Sequence, residues 1–124
     1  MCGIIGSYKS KEDVNVQNIY HRGPDAQKVV EWGDFVIGHS RLSIIDPVTA
    51  ANQPFEFEDT LLAFNGEIYN YQELRKEYLS DKEFRTNSDT EVLSQMLFFY
   101  GLEKTLEVID GTPAISILRL SLCL

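Results

Sequence analysis

Cysteine, histidine and basic residues are all scarce in this chain of 124 residues, and each shortage closes off a class of function. The two cysteines, Cys2 and Cys123, stand at opposite ends without a CxxC partner, so their spacing supplies neither a disulfide framework nor a zinc site. The two histidines, His21 and His39, have no metal-ligand spacing to other donors, and no metal is expected. Only 11 Lys and Arg face 19 Asp and Glu, a net charge of -8. That balance argues against nucleic acid and anionic membrane as partners, since both want a basic face. No apolar run approaches the roughly 18 residues needed to span a bilayer. The N-terminus lacks a basic n-region and a long apolar h-region, so it does not read as a signal peptide, and the expected location is cytoplasmic. A reducing compartment would leave Cys2 a free thiol. The length suits one domain.

What is present reads as strands first and helices later. "CGIIGSY" is a short apolar strand. "NVQNIYH" reads as a short helix stopped by the turn dipeptide Gly23-Pro24. "KVVEW" and "FVIGHSRLSII" are rich in β-branched and aromatic residues, with Gly33-Asp34 as a hairpin turn between them. "TLLAF" is a further strand ending at Asn65-Gly66. Two capping boxes then announce helices: Asn70 ahead of Glu73, and Ser88 ahead of Glu91. Gly101 is the expected stop of the second, "LEKTLEVI" is one more short helix, and "AISIL" a last strand. The order predicts an α+β fold with antiparallel sheet rather than repeated βαβ units.

Cys2 follows the initiator methionine directly. Loss of Met1 would leave a thiol and a free α-amine on one residue. An α-amine has a reference pKa of about 7.7–8.0, so near neutrality a useful fraction can act as base for its own thiol. The competing reading is a small apolar residue opening a strand. Asn65 and Gly66 offer a side-chain amide beside an unhindered N–H, two donors suited to an oxyanion hole. Asn-Gly is equally the commonest two-residue hairpin turn, although "NGEIYNY" leads toward a helix cap and not a second strand. Arg41, flanked by apolar residues in a strand, suits a carboxylate bidentately or snorkels at an edge. Asp89, first in its helix, either complements the helix dipole or takes an ammonium. A cation for a carboxylate together with an anion for an ammonium would specify a free amino acid. His39 shares a strand face with Arg41, where a supporting role fits, and neither histidine is assigned catalysis.

The segments "MCGIIG", "HRGPDA", "GHSRLSIID", "QP", "NGEIYNY" and "SDTEV" occur in the order found in class II, N-terminal-nucleophile glutamine amidotransferases. Within that group, "HRGPDA", "SRLSIID" and "NGEIYNY" resemble the glutaminase domain of glutamine-dependent asparagine synthetases. The resemblance covers roughly positions 1–111. It implies that Cys2 is the nucleophile and its α-amine the base, with Asn65 and Gly66 forming the oxyanion hole. It further implies that Arg41 holds the glutamine α-carboxylate and Asp89 the α-ammonium, with Glu67 nearby. The implied reaction releases ammonia from L-glutamine through a γ-glutamyl thioester. The implied fold is a four-layer αββα sandwich of antiparallel sheets, the N-terminal-nucleophile hydrolase fold, incomplete at the C-terminus. ATP and magnesium belong, by the same resemblance, to a synthetase domain that does not follow here, so no cofactor is expected in this chain.

The pattern departs from the family at two places. The segment between "GSY" and "HRGPDA" is shorter than the family's helix there. After Gly111 the family continues into a core strand, whereas here Thr112 and Pro113 stand at the junction. Residues 112–124 therefore read as a divergent tail, a frameshift or truncation product, against the plainer reading of "AISILRLSL" as a variant last strand. Two other functions stay open: a non-catalytic remnant that binds glutamine or a partner, and an amidotransferase domain serving a different acceptor.

Overall fold

Residues 2–42 and 49–119 are described by the computed structural model. Met1, the expected continuation of the third strand through positions 43–45, and positions 120–124 with Cys123 lie outside the described residues. The opening apolar run forms β1 (Gly3–Tyr8), and the two β-branched runs form β2 (Ala26–Trp32) and β3 (Phe35–Arg41). β2 and β3 are joined at Gly33-Asp34, where Gly33 takes a φ of 61° that suits the hairpin turn. The three make an antiparallel sheet of order β1-β3-β2. A second antiparallel sheet has the order β4-β5-β6, from β4 (Phe55–Phe57), β5 (Thr60–Asn65) and β6 (Ala114–Arg119). The architecture is α+β, as the sequence predicts, with its strands divided between two small sheets.

The period-two alternation of β5 joins the layers. Leu61 and Ala63 face the first sheet, where they meet Ile37 with the partly buried Ile4, Val30 and Trp32. Leu62 and Phe64 face the other way, into Phe55, Ile68, Leu74, Leu79, Val92, Leu93, Met96 and Leu97. Burying each such side chain contributes about 1.5–3 kcal/mol. That second core is closed by α1 (Tyr71–Tyr78) and α2 (Asp89–Val108), so sheet, sheet and helices stack in that order. On the open face of the first sheet lie two 3-10 segments, Lys11–Asp13 and Val16–Arg22. The predicted helix at "NVQNIYH" is thus a 3-10 helix. It sits close to the sheet because Gly3 and Gly38 have no side chains there, leaving room for Ile19, Val14 and Val16.

The two capping boxes resolve differently. Ser88 caps α2 as expected, its Oγ accepting from the Glu91 N–H at 3.2 Å. Glu91 does not reach back to Ser88. Its buried carboxylate instead accepts from the backbone N–H groups of Arg85 and Thr86, at 2.9 and 2.7 Å, and from the Thr86 hydroxyl. Asn70 stands at the start of α1 without capping it. Its side chain spans 38 and 40 residues, donating to the Val108 carbonyl and accepting from the Asp110 N–H. Gly101 interrupts α2 with a φ of 81°, dividing it where a stop was predicted, and "LEKTLEV" continues as a second helical segment.

Candidate active site

Four chain segments end against one another at the seam between the sheets. The start of β1 brings Cys2, the end of β3 brings Arg41, the end of β5 brings Asn65 and Gly66, and the start of α2 brings Asp89. These five and Glu67 line one cavity of about 400 Å³, together with Leu42, Gln53, Phe64, Tyr69, Thr90, Thr112 and Ala114. The six residues that the resemblance assigns to the site are therefore at this cavity, although Cys2 and Asp89 are 87 positions apart in the chain.

The Cys2 thiol lies on the backbone of Leu42, 3.4 Å from its N–H and 3.8 Å from its carbonyl oxygen. Arg22 donates to the Cys2 carbonyl at 3.2 Å. Ser40 Oγ donates to the Gly23 carbonyl at 2.6 Å, and Asp25 N–H to the Arg41 carbonyl at 3.0 Å. The "HRGPDA" loop thereby ties the chain start to the end of β3. Arg41 is only 5% exposed, and its Nη1 donates to Asn52 Oδ1 at 2.8 Å.

Asn65 and Gly66 do not make a hairpin. The chain runs on extended and pairs with positions 110–112: Tyr69 N–H donates to Asp110 O at 2.7 Å and Thr112 N–H to Glu67 O at 3.1 Å. Gly66 has a φ of 146°, a left-handed conformation that side chains rarely adopt, and a Cβ there would land on the Thr112 carbonyl oxygen. Among the described residues, neither the Asn65 side chain nor the Gly66 N–H has a hydrogen-bond partner, and both residues stand at the cavity wall.

Asp89 is 6% exposed, and its Oδ2 accepts from the Ile68 N–H at 3.1 Å. Burial raises its carboxyl above the usual range, and the nearby Glu67 adds to the rise, against the lowering effect of backbone hydrogen bonds including that from Ile68. An ammonium at this spot would meet two carboxylates. His39 is fully buried and shares the face of Arg41, as its position in the strand predicts. Its Nε2 stands 3.2 Å from the Phe64 carbonyl, which can only accept, so Nε2 carries the proton. Burial, with a smaller contribution from the Arg41 charge, lowers its pKa to about 4, while the Phe64 hydrogen bond opposes the shift. The ring is neutral and structural. His21 is exposed and does not line the cavity.

Residues missed in the sequence surround the predicted ones. Gln53 accepts from the Phe64 N–H at 2.5 Å and donates to Thr90 Oγ1 at 3.2 Å. Asn52 holds Arg41. The dipeptide "QP" carried a signal for Gln53, and nothing local pointed to Asn52. A second hollow of about 580 Å³ lies beside α1, lined by Arg75, Lys76 and Lys82 among others. Arg75 is engaged by the Thr86 carbonyl, Asn87 and the Phe84 ring, and Lys82 by Asp81 and the Phe99 ring. Among the described residues, no group of three His, Cys, Asp or Glu side chains could hold a metal ion, and no helix is long and apolar enough to cross a membrane.

Residues 1–120 match a glutamine amidotransferase domain family. The chain is 35% identical over 121 residues to asparagine synthetase [glutamine-hydrolyzing] 1 of Arabidopsis thaliana, covering 90% of this chain and 20% of that protein. It is 39% identical to asparagine synthetase [glutamine-hydrolyzing] 3 of the same plant, covering 95% of this chain and 22% of the relative. It thus spans about a fifth of the length of these curated relatives. Among solved structures, it resembles a glutamine phosphoribosylpyrophosphate amidotransferase from B. subtilis with a TM-score of 0.57 and 27% identity, over 70% of this chain and 21% of that one.

Proposed function

Because the chain belongs to the glutamine amidotransferase domain family, we propose that its cavity hydrolyses L-glutamine to glutamate and ammonia through a thioester on Cys2. Removal of Met1 frees the Cys2 amine, which takes the thiol proton. The sulfur attacks the carboxamide carbon, and the resulting oxyanion rests against the Asn65 side-chain amide and the Gly66 N–H. The amine returns the proton to the leaving nitrogen, and ammonia departs. Water then cleaves the γ-glutamyl thioester, releasing glutamate and the thiol. Arg41 holds the α-carboxylate, while Asp89 and Glu67 hold the α-ammonium.

What supports this reading is the convergence of Cys2, Arg41, Asn65, Gly66, Glu67 and Asp89 on one cavity. The asparagine synthetases among its relatives make asparagine formation the use we assign to the ammonia. ATP and magnesium would serve that later step, and no residue of this chain is assigned to them. We also propose that the fold is a four-layer αββα sandwich, with the 3-10 segments Lys11–Asp13 and Val16–Arg22 standing where the outer helices lie.

Glutamate release from glutamine by the purified protein tests the reaction, with Cys2→Ala as control. Release by the parent and none by the variant is expected. No release by a parent protein whose Met1 has been removed would overturn the hydrolytic reading and favour a glutamine-binding role.

A further inference from the structure

The side chains that would recognise glutamine come from separate layers, and two adjacent residues connect them. Asn52 Oδ1 accepts from Arg41 Nη1 at 2.8 Å, on the first sheet. Gln53 Oε1 accepts from the Phe64 N–H at 2.5 Å, one residue before Asn65 on the second sheet. Gln53 Nε2 donates to Thr90 Oγ1 at 3.2 Å, one residue after Asp89 on α2. The carboxamide can sit only one way round, since a flip would set its NH2 against the Phe64 N–H. Gln53 is 5% exposed, so water does not compete for these bonds.

We infer that Asn52-Gln53 is the positioning element of the site: Asn52 aims the Arg41 guanidinium, and Gln53 sets the spacing between the Asn65-Gly66 donors and Asp89. The inference rests on the glutamine-hydrolysing reading for its substrate. The two residues divide the labour. A guanidinium that loses the Asn52 hydrogen bond keeps its charge but is held less firmly in its orientation, which weakens ground-state and transition-state binding alike. A displaced Phe64–Gly66 segment misplaces donors that matter most when negative charge develops on the oxyanion. Neither residue touches the reacting atoms in this scheme, so both are positioning residues.

The test pairs two readouts on the full chain with Met1 removed. Steady-state glutaminase kinetics are measured for Asn52→Ala, Gln53→Met and Gln53→Glu. Glutamine binding is measured by calorimetry for the Asn52 and Gln53 substitutions in a Cys2→Ala background, where turnover is absent. Asn52→Ala is expected to raise KM about tenfold with kcat within about twofold, and to weaken calorimetric binding to match. Gln53→Met, close in length and volume, is expected to lower kcat at least about tenfold. Gln53→Glu keeps an acceptor for the Phe64 N–H and is expected to recover much of that loss. A merely space-filling role predicts that Met substitutes without change in kcat. Kinetic and binding constants within about twofold of the parent for both Asn52→Ala and Gln53→Met would overturn the inference. If the parent binds glutamine without turning it over, and Asn52→Ala still weakens binding, the hydrolytic reading fails while the positioning of Arg41 stands.

Discussion

Acidification should destabilise this protein through His39, and the effect can be separated from general acid loss. The ring is fully buried, it donates to the Phe64 carbonyl, and its pKa is lowered from 6.5 to about 4. The unfolded chain takes up the proton near pH 6.5, and the folded one not until near pH 4. Between those values the unfolded state binds more protons, so His39 makes folding stability fall as pH drops through that window. Its contribution is flat above the window and flat again below it. Linkage gives a loss of about 1 kcal/mol at pH 5.5 relative to pH 8, growing to about 3 kcal/mol below pH 4. The sequence pI of about 4.6 makes pH 5.5 the better place to measure, because solubility is least near the pI. Urea unfolding of the parent and of His39→Gln at both pH values isolates the term. Glutamine can still donate to the Phe64 carbonyl and does not titrate, and all other ionisations cancel in the difference. The parent should lose about 1 kcal/mol more than the variant on going from pH 8 to 5.5. Equal losses would refute the reasoning.

Three further outcomes follow from the site. Retaining Met1, or acetylating the Cys2 amine, should abolish glutamine hydrolysis, because Cys2 then carries an amide in place of a base; N-terminal sequencing alongside the glutamate assay checks this, and full activity with Met1 in place would refute it. Arg41→Ala should remove a charge-assisted contact worth about 1.5–3 kcal/mol, raising the glutamine KM roughly ten- to a hundredfold while changing kcat little, and an unchanged KM would count against the assignment. Gly66→Ala should be destabilised by more than the roughly 1–3 kcal/mol of backbone strain alone, since its Cβ meets the Thr112 carbonyl; Gly101→Ala, with open space around it, should lose less. Denaturation midpoints of the two variants rank them.

Local chemistry was legible in the sequence and long-range partnership was not. The β2–β3 hairpin could be read because Gly33-Asp34 interrupts two β-branched runs, and α2 because Ser88 satisfies an amide three residues away. β4 is three residues long, too short to show an alternation. The seat of Val16–Arg22 against Gly3 and Gly38 is a tertiary contact invisible to propensity. Asn70 looked like a cap because capping is local, but its partners are 38 and 40 residues away. The same limit explains the site. Asn65-Gly66 and Asp89 each carried a signal within a few positions, whereas Asn52 works through a residue 11 positions back and Gln53 through one 37 positions on.

The seam between the two sheets has a thermodynamic consequence. Its buried apolar contacts centre on Ile37, Leu61 and Ala63, a smaller set than the cluster between the second sheet and the helices. Cys2 and Arg41 stand on one side of that seam, and Asn65, Gly66 and Asp89 on the other. A glutamine molecule whose α-carboxylate rests on Arg41 and whose α-ammonium rests on Asp89 would act as a staple across the weaker junction. Any ligand that binds only the assembled form adds RT ln(1 + [L]/Kd) to stability, about 2.7 kcal/mol at a hundredfold excess over Kd. The melting temperature of this chain should therefore rise with glutamine concentration, and amides lining the seam should exchange with solvent more slowly as the substrate pool fills.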